Sequence, residues 1–290
     1  MQHLFDMPGE MPPCCVAVGH FDGVHRGHLA LARRLVSEAR ERGLSPVLVS
    51  LFDHDGTCLT TEREKALLFQ DCGVDTMVSM EKNYLLQAMS PAAFTQLFLK
   101  HKLNARCAVA GADHADNYPG LETISFPLVD VGGMPLSTSR LRAAFETADM
   151  DSYTNLCGRP FLALGTIGHG RRLGRTVGMP TANLVLPGFK RRPAEGVYAT
   201  VSTIGDEVYM GVTNVGRRPT VDSSNAVTVE TNLLGVDRDL YGETELLEFH
   251  IYIRPVSKFD TLEQVKAQVG RDLAQVQDRL SAIVARRRAG

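Results

Sequence analysis

The spacing of apolar residues changes near the middle of the chain, and this change limits the folds that the chain can adopt. In the first half, short apolar runs at residues 14–21 and 46–52 flank residues 28–42, whose apolar side chains recur at helical spacing. A strand, a helix and a second strand in this order form a βαβ unit, which implies parallel strands. We therefore predict a doubly wound α/β domain, with its ligand crevice at the carboxyl ends of the strands.

The second half consists mostly of β-rich runs separated by Gly or Pro. These runs lie at residues 161–167, 196–204, 207–214, 226–234 and 244–253. Apolar residues then recur at three- and four-residue steps over residues 262–286, which predicts an amphipathic helix. We predict an antiparallel β-barrel with a C-terminal helix that covers one end of it. Because the composition shifts at residues 157–160, we predict domains over residues 1–157 and 158–290.

Charge and cysteine content exclude several classes of protein. The net charge of −2 gives no extended basic field of the kind found in nucleic-acid-binding proteins, so any anion site must be local. The six cysteines include no CxxC pair, which favours reduced thiols. No apolar run approaches the ~20 residues that span a bilayer. We expect a cytoplasmic protein with no nucleic-acid or membrane partner, and a solvated tail at Arg286, Arg287 and Arg288.

Two histidines mark a candidate site in the first half. His25 and His28 lie three residues apart at the start of the predicted helix, so their side chains face one way. A helix N-terminus adds a positive potential for phosphate. We predict that both histidines hold a triphosphate and stabilise charge on its α-phosphate during nucleotidyl transfer. Two alternatives stay open: a helix cap with incidental histidines, and a metal site, for which no third ligand with suitable spacing is evident.

A glycine- and arginine-rich stretch at residues 165–183 marks a second candidate site. Glycine lets backbone amides approach an anion closely, and arginine forks suit phosphate oxygens. The residues that we assign to phosphate here are Gly165, Gly170, Arg171, Gly174 and Arg175. Thr181 and Asn183 offer oxygens that could reach Mg²⁺, which usually has few protein ligands plus substrate phosphates. The alternative is a surface loop with solvated arginines.

The end of this stretch carries a resemblance to a known family. Pro180-Thr181-Ala182-Asn183 closes it, and the whole stretch resembles the ATP-binding segment of bacterial riboflavin kinase. Further matches follow in order at residues 196–198, 211–216, 218–220, 229–231, 239–242, 254 and 258–259. The chain is thus similar to the bifunctional riboflavin kinase/FAD synthetase family. The resemblance implies an N-terminal nucleotidyltransferase domain and a C-terminal Greek-key barrel.

The resemblance extends to two segments of the first half. Residues 19–28, GHFDGVHRGH, look like the family's synthetase motif, which adds five residues to the nucleotide site: Gly19, Phe21, Asp22, Gly23 and Gly27. Residues 136–142 resemble a stretch that contacts the nucleotide phosphates in the family. This likeness implies that four residues approach the same triphosphate as His28: Ser137, Thr138, Ser139 and Arg142. From the residues alone, a helix cap with solvated arginines is an equal alternative.

In the second half, the resemblance assigns individual roles. Glu230 matches the family's catalytic glutamate and is our predicted base for the hydroxyl that is phosphorylated. Pro180, Thr181 and Asn183 match the motif that anchors phosphate and metal. Three residues are candidates for flavin binding by resemblance only, namely Tyr241, Arg254 and Phe259. The alternative for the two aromatic residues is a place in the core.

The chain departs from the family pattern in three segments of the first half. Residues 112–120 lack the aromatic, glycine- and arginine-bearing loop that relatives carry there, and residues 51–56 replace another familiar segment. Residues 120–136 form a span that looks too short for the expected helix and strand. We hypothesise that ATP still binds here while adenylylation of FMN is weak or lost.

These inferences combine into one predicted function. The chain phosphorylates riboflavin to FMN with ATP and Mg²⁺, and its N-terminal domain then adenylylates FMN to FAD. The predicted partners are therefore riboflavin, FMN and ATP, and a homo-oligomer stays open. Two alternatives remain: a kinase with a degenerate synthetase domain, and a non-catalytic regulatory protein that responds to flavin or nucleotide.

Overall fold

The structure is a computed structural model that describes residues 1–5, 9, 11–53, 57–168, 181–217, 227–236 and 238–289. These residues form two compact units, Met1–Arg140 and Leu141–Gly290. The domain boundary predicted at residue 157 remains a prediction. Among the described residues, no helix is long and apolar enough to cross a membrane.

A six-stranded parallel sheet forms the centre of the first unit. Its strands are β1 Gln2–Leu4, β2 Cys14–Gly19, β3 Ser45–Phe52, β4 Thr76–Glu81, β5 Ala105–Gly111 and β6 Glu122–Phe126. They lie in the order β1-β4-β3-β2-β5-β6, and every neighbouring pair is parallel. This arrangement confirms the predicted doubly wound α/β sheet. The predicted βαβ unit is β2, the helix α1 Arg26–Glu41, and β3.

Apolar residues cover both faces of this sheet. In β2, Cys15 and Ala17 belong to one buried cluster, whereas Cys14 and Val16 belong to another. Successive side chains of a strand point to opposite faces, so a strand buried on both faces must be apolar throughout. That requirement explains the uninterrupted apolar run in β2.

The remaining elements of this unit are short. They are α2 Glu62–Gln70, α3 Tyr84–Gln87, α4 Pro91–Phe94, a π-helix Thr95–Lys102, a 3₁₀ turn Ala115–Asn117 and a hairpin of β7 Asp130–Val131 with β8 Met134–Pro135. Thr61 caps α2 with a capping box, because its side chain accepts from the amide of Glu64 while the Glu64 side chain accepts from the amide of Thr61. Helix α2 therefore has a fixed starting point beside the sheet.

A closed six-stranded antiparallel barrel forms the second unit. Its strands are β9 Phe161–Gly168, β10 Thr181–Val185, β11 Gly196–Ile204, β12 Glu207–Arg217, β13 Val227–Leu233 and β14 Thr244–Arg254. They close in the order β10-β13-β12-β11-β14-β9. Helix α5 Thr138–Glu146 and helix α6 Met150–Cys157 precede the barrel, and the C-terminal helix Leu262–Ala289 follows it. The predicted barrel and C-terminal helix are confirmed.

The position of the C-terminal helix differs from the sequence prediction. Its residues Val276, Leu280 and Val284 pack against Val201 of β11 and Val212 of β12, so it lies on the barrel wall rather than over one end. The physical reason is the apolar outer face of β11, which an exposed barrel would leave in water.

The C-terminal arginines also differ from the prediction of a solvated tail. Arg287 donates through both terminal nitrogens to the carboxylate of Glu248, which is buried on the barrel. Arg288 donates to the carbonyl of Val208 at 3.0 and 2.6 Å. These contacts fasten the last turn of the helix to the barrel.

We expect Arg287→Ala to weaken this attachment. The change leaves the buried Glu248 carboxylate without two charge-assisted hydrogen bonds, so the free energy of unfolding should fall by about 1.5–3 kcal/mol. Arg286→Ala is the matched control, because Arg286 is exposed and its loss should change stability by less than about 0.5 kcal/mol. Urea unfolding measures both. Equal stabilities of the two variants would contradict the assigned attachment.

Candidate active sites

The first candidate site lies where the order of the parallel sheet reverses. Strand β2 pairs with β3 on one side and with β5 on the other, so the chain leaves β2 in one direction and later returns on its other side. The loops that follow β2 and β5 therefore open into a crevice at their carboxyl ends, which is where doubly wound sheets bind ligands. His25 ends the loop after β2 and caps α1, since its Nδ1 accepts from the amide of His28 at 3.3 Å.

The two predicted histidines lie together in this crevice. The rings of His25 and His28 stack with centroids 3.6 Å apart and an angle of 15°. Phe21 packs edge-on against the His28 ring at 5.3 Å. The Nδ1 atom of His28 is buried and has no hydrogen-bond partner among the described residues. The structure thus offers a polar ring nitrogen that lacks a protein partner beside a helix N-terminus.

Burial favours the neutral form of both rings. It lowers the pKa of His25 to about 4. The pKa of His28 lies well below its usual value because of burial first, and then because of the neighbouring His25 and the charge of Lys65. A triphosphate would meet neutral rings that can donate hydrogen bonds, and its charge would favour their protonation.

The loop between β2 and α1 has an unusual backbone. Phe21 and Val24 have φ values of +48° and +41°, in the left-handed region that side chains rarely occupy. The Asp22 carboxylate holds this loop, since its Oδ1 accepts from the amides of Leu59 at 2.8 Å and Thr60 at 3.1 Å. The Asp22 carboxylate, which we predicted to contact the nucleotide, therefore binds backbone amides of the protein.

Two of the predicted glycines allow this loop to pack closely. A Cβ on Gly19 would lie 3.1 Å from the ring of Phe21, and a Cβ on Gly27 would lie 3.2 Å from the ring of His25. Gly23 has φ of +80°, where only glycine is unstrained. All three glycines shape the loop that presents the histidines.

The hydroxyl-rich segment before α5 lies against the same loop. Thr138 donates from its Oγ1 to the carbonyl of Asp22 at 3.5 Å, and the hydroxyls of Ser137 and Ser139 lie 2.9 Å apart. The structure therefore brings Thr138 to the loop between β2 and α1, hereafter the histidine loop, with Ser137 and Ser139 on either side of it in the chain. Arg142 follows Arg140, the last residue of this unit, so its approach to the triphosphate remains a prediction.

The second candidate site is set by strand register in the barrel. Asn183 of β10 lies directly opposite Glu230 of β13, which lies directly opposite Asn214 of β12. Thr181 lies opposite Asn232 in the same pair of strands. Directly opposed residues have Cβ atoms about 4.5–5.5 Å apart. The predicted base and the two predicted metal anchors thus share one patch.

This patch lies on the outer wall of the barrel. Val212 packs against the C-terminal helix, and Asn214 points to the same side because side chains alternate along a strand. On the inner side, a buried chain of hydroxyls links Thr200, Thr213 and Thr231 at 2.8 Å per step. The half-buried Glu230 therefore stands on a rigid wall with solvent access.

Thr181 and Asn183 fit a hard cation by their chemistry. They lie two positions apart in β10, so their oxygen-bearing side chains share a face beside the Glu230 carboxylate. In the part of the chain that the structure describes, no group of three or more His, Cys, Asp or Glu residues could hold a metal ion by itself. Mg²⁺ is usually bound by a few protein oxygens together with phosphate oxygens of the substrate.

The three predicted flavin residues do not converge. Arg254 pairs with Asp272 of the C-terminal helix at 2.7 Å and lies 5.9 Å from the ring of Phe259. Tyr241 precedes β14, whereas Arg254 ends it, so the 11-residue strand lies between them. Tyr241 packs instead with an apolar cluster that includes Leu240 and Ile167. One flavin ring cannot contact both ends of β14.

Several predicted phosphate residues lie outside the described residues, namely Gly170, Arg171, Gly174, Arg175 and Pro180. Gly165 is described, and a Cβ there would lie 2.4 Å from the carbonyl oxygen of Val185. Gly165 is thus required by the close approach of β9 to β10.

Sequence reasoning did not single out two residues that the structure places at these sites. Asn214 was noted only within a matching segment, although it lies beside Glu230. Lys65 is almost fully buried behind the histidine loop and donates to the carbonyl of His20. The sequence signal for Lys65 was weak, since a lysine three residues after Glu62 is typical of an exposed helix pair.

Comparisons with known proteins match both halves of the chain. A family model described as riboflavin kinase matches residues 157–280, and one described as FAD synthetase matches residues 8–122. A bifunctional riboflavin kinase/FMN adenylyltransferase of Escherichia coli K12 is 34% identical over 288 residues, covering 89% of this chain and 90% of the relative. The protein of the same description from Pseudomonas fluorescens is 32% identical, with coverages of 93% and 94%. That from Bacillus subtilis is 28% identical, with 91% of each chain covered.

A solved structure shares the fold over nearly the whole chain. A crystal structure described as a macrolide-efflux protein from Streptococcus pneumoniae aligns with a TM-score of 0.84 and 26% identity, covering 96% of this chain and 99% of that one. From its two matching family models and from relatives that match along nearly their full length, this chain belongs to the family of bifunctional riboflavin kinase/FMN adenylyltransferases.

Proposed function

We propose that this chain converts riboflavin to FMN in its barrel unit and FMN to FAD at the histidine loop of its parallel sheet, with ATP as the co-substrate of both steps. The observation that carries this proposal is the presence of two separate sites in one chain of this family. One is the patch of Thr181, Asn183 and Glu230, and the other is the stacked pair of His25 and His28.

In the kinase step, the ribityl hydroxyl of riboflavin attacks the γ-phosphorus of ATP, and ADP leaves. The Glu230 carboxylate accepts the hydroxyl proton as the new oxygen–phosphorus bond forms. Thr181 and Asn183 orient the phosphates beside it, and Mg²⁺ bound with their oxygens would offset the phosphate charge. The rigid wall under Glu230 supports this role, because a base must be held within hydrogen-bond reach of its proton.

In the adenylyl step, a phosphate oxygen of FMN attacks the α-phosphorus of ATP, and pyrophosphate leaves. His25 and His28 donate hydrogen bonds to phosphate oxygens that gain charge in the transition state, next to the N-terminus of α1. Ser137, Thr138 and Ser139 are placed to bind the same phosphates, and we extend this role to Arg142.

Residues 112–120, which depart from the family pattern, bear on whether adenylylation of FMN is retained. The only helical element described between β5 and β6 is the 3₁₀ turn Ala115–Asn117, and Tyr118 is buried against the sheet. Strand β6 nevertheless pairs with β5 in register. This complete sheet supports a retained synthetase. The functional boundary lies near residue 157, where the match to riboflavin kinase begins. Loss of adenylylation remains the alternative.

The first test is to incubate the protein with riboflavin, ATP and Mg²⁺ and to separate the flavins over time. We expect FMN to form first and FAD to follow. FMN alone would contradict the synthetase half of the proposal, and unchanged riboflavin would contradict both halves. Omitting Mg²⁺ should abolish the kinase step.

Glu230→Gln should separate the two activities. Removing a general base typically costs a factor of about 10²–10⁴ in rate, so riboflavin phosphorylation should fall by this amount. Adenylylation of supplied FMN should be unchanged. Glu207→Gln is the control, since Glu207 is an exposed carboxylate at the start of β12. Kinase turnover near the wild-type rate in Glu230→Gln would exclude Glu230 as the base.

His28→Ala should have the opposite effect. We expect FMN adenylylation to fall by about 10²–10³-fold, the typical loss for one donor to a developing charge. Riboflavin phosphorylation should be retained. His28→Ala preserves the capping side chain of His25, so the helix should stay intact. Parallel loss of both activities, measured by steady-state kinetics, would point to unfolding instead of a role at the phosphates.

The buried ring of His25 predicts a pH dependence of stability. Its pKa is about 4 in the folded protein and about 6.5 for a free imidazole. Between these values the unfolded chain binds more protons, so this stabilisation is complete above pH 6.5 and is lost as the pH falls toward 4. The loss between pH 7 and pH 5 should be about 2 kcal/mol.

His25→Asn tests this dependence, because asparagine caps a helix well and does not titrate. Urea unfolding at pH 7 and pH 5 should show a smaller acid loss in the variant. In the wild type, bound ATP should reduce the acid loss, since its phosphates favour the charged ring. Identical acid losses with and without His25 would contradict the assignment.

A further inference from the structure

A buried lysine lies directly behind the histidine loop. Lys65 of α2 is 3% exposed, and its Nζ donates to the backbone carbonyl of His20, to Ser50 Oγ at 3.1 Å and to Glu62 Oε1 at 2.6 Å. Three acceptors satisfy the three protons of the ammonium. Burying a charge in this way carries a desolvation cost that its partners must offset.

The partners of Lys65 are themselves fixed. The second carboxylate oxygen of Glu62 accepts from Ser79 Oγ at 2.6 Å, and Ser79 Oγ also lies 2.9 Å from His3 Nε2. Ser50 and Ser79 are fully buried in β3 and β4. The ammonium therefore has one defined position, set by two central strands and by the first turn of α2.

The contact with His20 acts on a strained segment. The carbonyl of His20 precedes Phe21, whose φ is +48°, and Val24 follows with φ of +41°. Such conformations cost roughly 1–3 kcal/mol each and persist only where surrounding contacts over-determine them. Asp22 supplies one such contact through the amides of Leu59 and Thr60. Lys65 supplies another from the same region of the chain.

We propose that Lys65 is a positioning residue of the adenylyl-transfer site, whose ammonium holds the His20 carbonyl so that His25 and His28 face the triphosphate. The proposal rests on the adenylyl transfer assigned above. It assigns a function to a buried charge that fold stability alone does not require, because an apolar side chain of similar length would pack in the same space at a lower desolvation cost.

The charge of Lys65 supports this placement. It is one of the groups that lower the pKa of His28, after burial and the neighbouring His25. It also contributes, less than burial does, to the lowered pKa of His20. The ammonium is therefore close enough to His20 and His28, at the two ends of the loop, to lower the pKa of both rings.

The test variant is Lys65→Met, which keeps the unbranched apolar stem of the side chain and removes its charge and donors. A displaced loop changes how the triphosphate binds, so we expect KM for ATP in adenylyl transfer to rise at least about tenfold, since small misplacements have large kinetic effects. KM for FMN and the riboflavin kinase rate of the same preparation should stay within twofold of wild type.

The control variant is Glu38→Gln. Glu38 is also buried in this unit and pairs with Arg34 and with Arg42 at 3.1 Å, but it lies 13 positions after His25 in the chain, about 20 Å along α1. A variant that is merely destabilised contains fewer folded molecules, which lowers the rate without changing KM. An unchanged KM for ATP in Lys65→Met, or an equal rise in Glu38→Gln, would overturn the proposal.

Folding of the variants is checked by circular dichroism. If Lys65→Met does not fold, Lys65→Gln replaces it, because its neutral amide is one atom shorter than lysine and lacks the charge, so KM for ATP should rise in the same way. If neither variant folds, Lys65 is a structural residue and the proposal is wrong. Absence of FAD formation by the wild type would instead refute the proposed synthetase, so the two failures are distinguishable.

Discussion

The pairing of β2 with β3 on one side and β5 on the other is the constraint on which the first site depends. It opens a crevice at the carboxyl end of β2. The loop at the edge of that crevice has backbone angles that side chains rarely adopt. The loop keeps this shape because the Asp22 carboxylate and the Lys65 ammonium hold it through backbone groups. The histidine pair is thus positioned before any ligand arrives, and little reorganisation remains for the reaction itself.

The barrel also holds its proposed site residues in fixed positions, but through strand register. Its register places Asn183, Glu230 and Asn214 in one row across three strands, and a closed barrel cannot slip without breaking every strand pair. Inside the wall, the hydroxyls of Thr213 and Thr231 bond to each other, so the strand carrying Glu230 is fixed from within. The proposed chemistry of this unit therefore rests on strands, whose positions are more precise than those of loops.

Much of this organisation could be predicted from the sequence. The apolar run at residues 14–21 and the helical spacing after it predicted β2 and α1, and the β-rich second half predicted a barrel with a terminal helix. The resemblance assigned Glu230, Thr181 and Asn183 to one site, and the strand register places Asn183 opposite Glu230, while their roles stay predictions. The flavin residues were a weaker prediction, since they came from resemblance only, although the predicted run at residues 244–253 already lay between Tyr241 and Arg254.

Local periodicity and capping by themselves determined the type and order of most elements, because they depend on residues a few positions apart. Contacts between distant residues were decided only by the tertiary structure. Lys65 meets the carbonyl of a residue 45 positions away, Arg254 meets Asp272, and Arg287 reaches Glu248 on the barrel wall. In the sequence each of these is an ordinary charged residue. Folding gives each a defined set of partners, because a charge that loses water must find compensating groups.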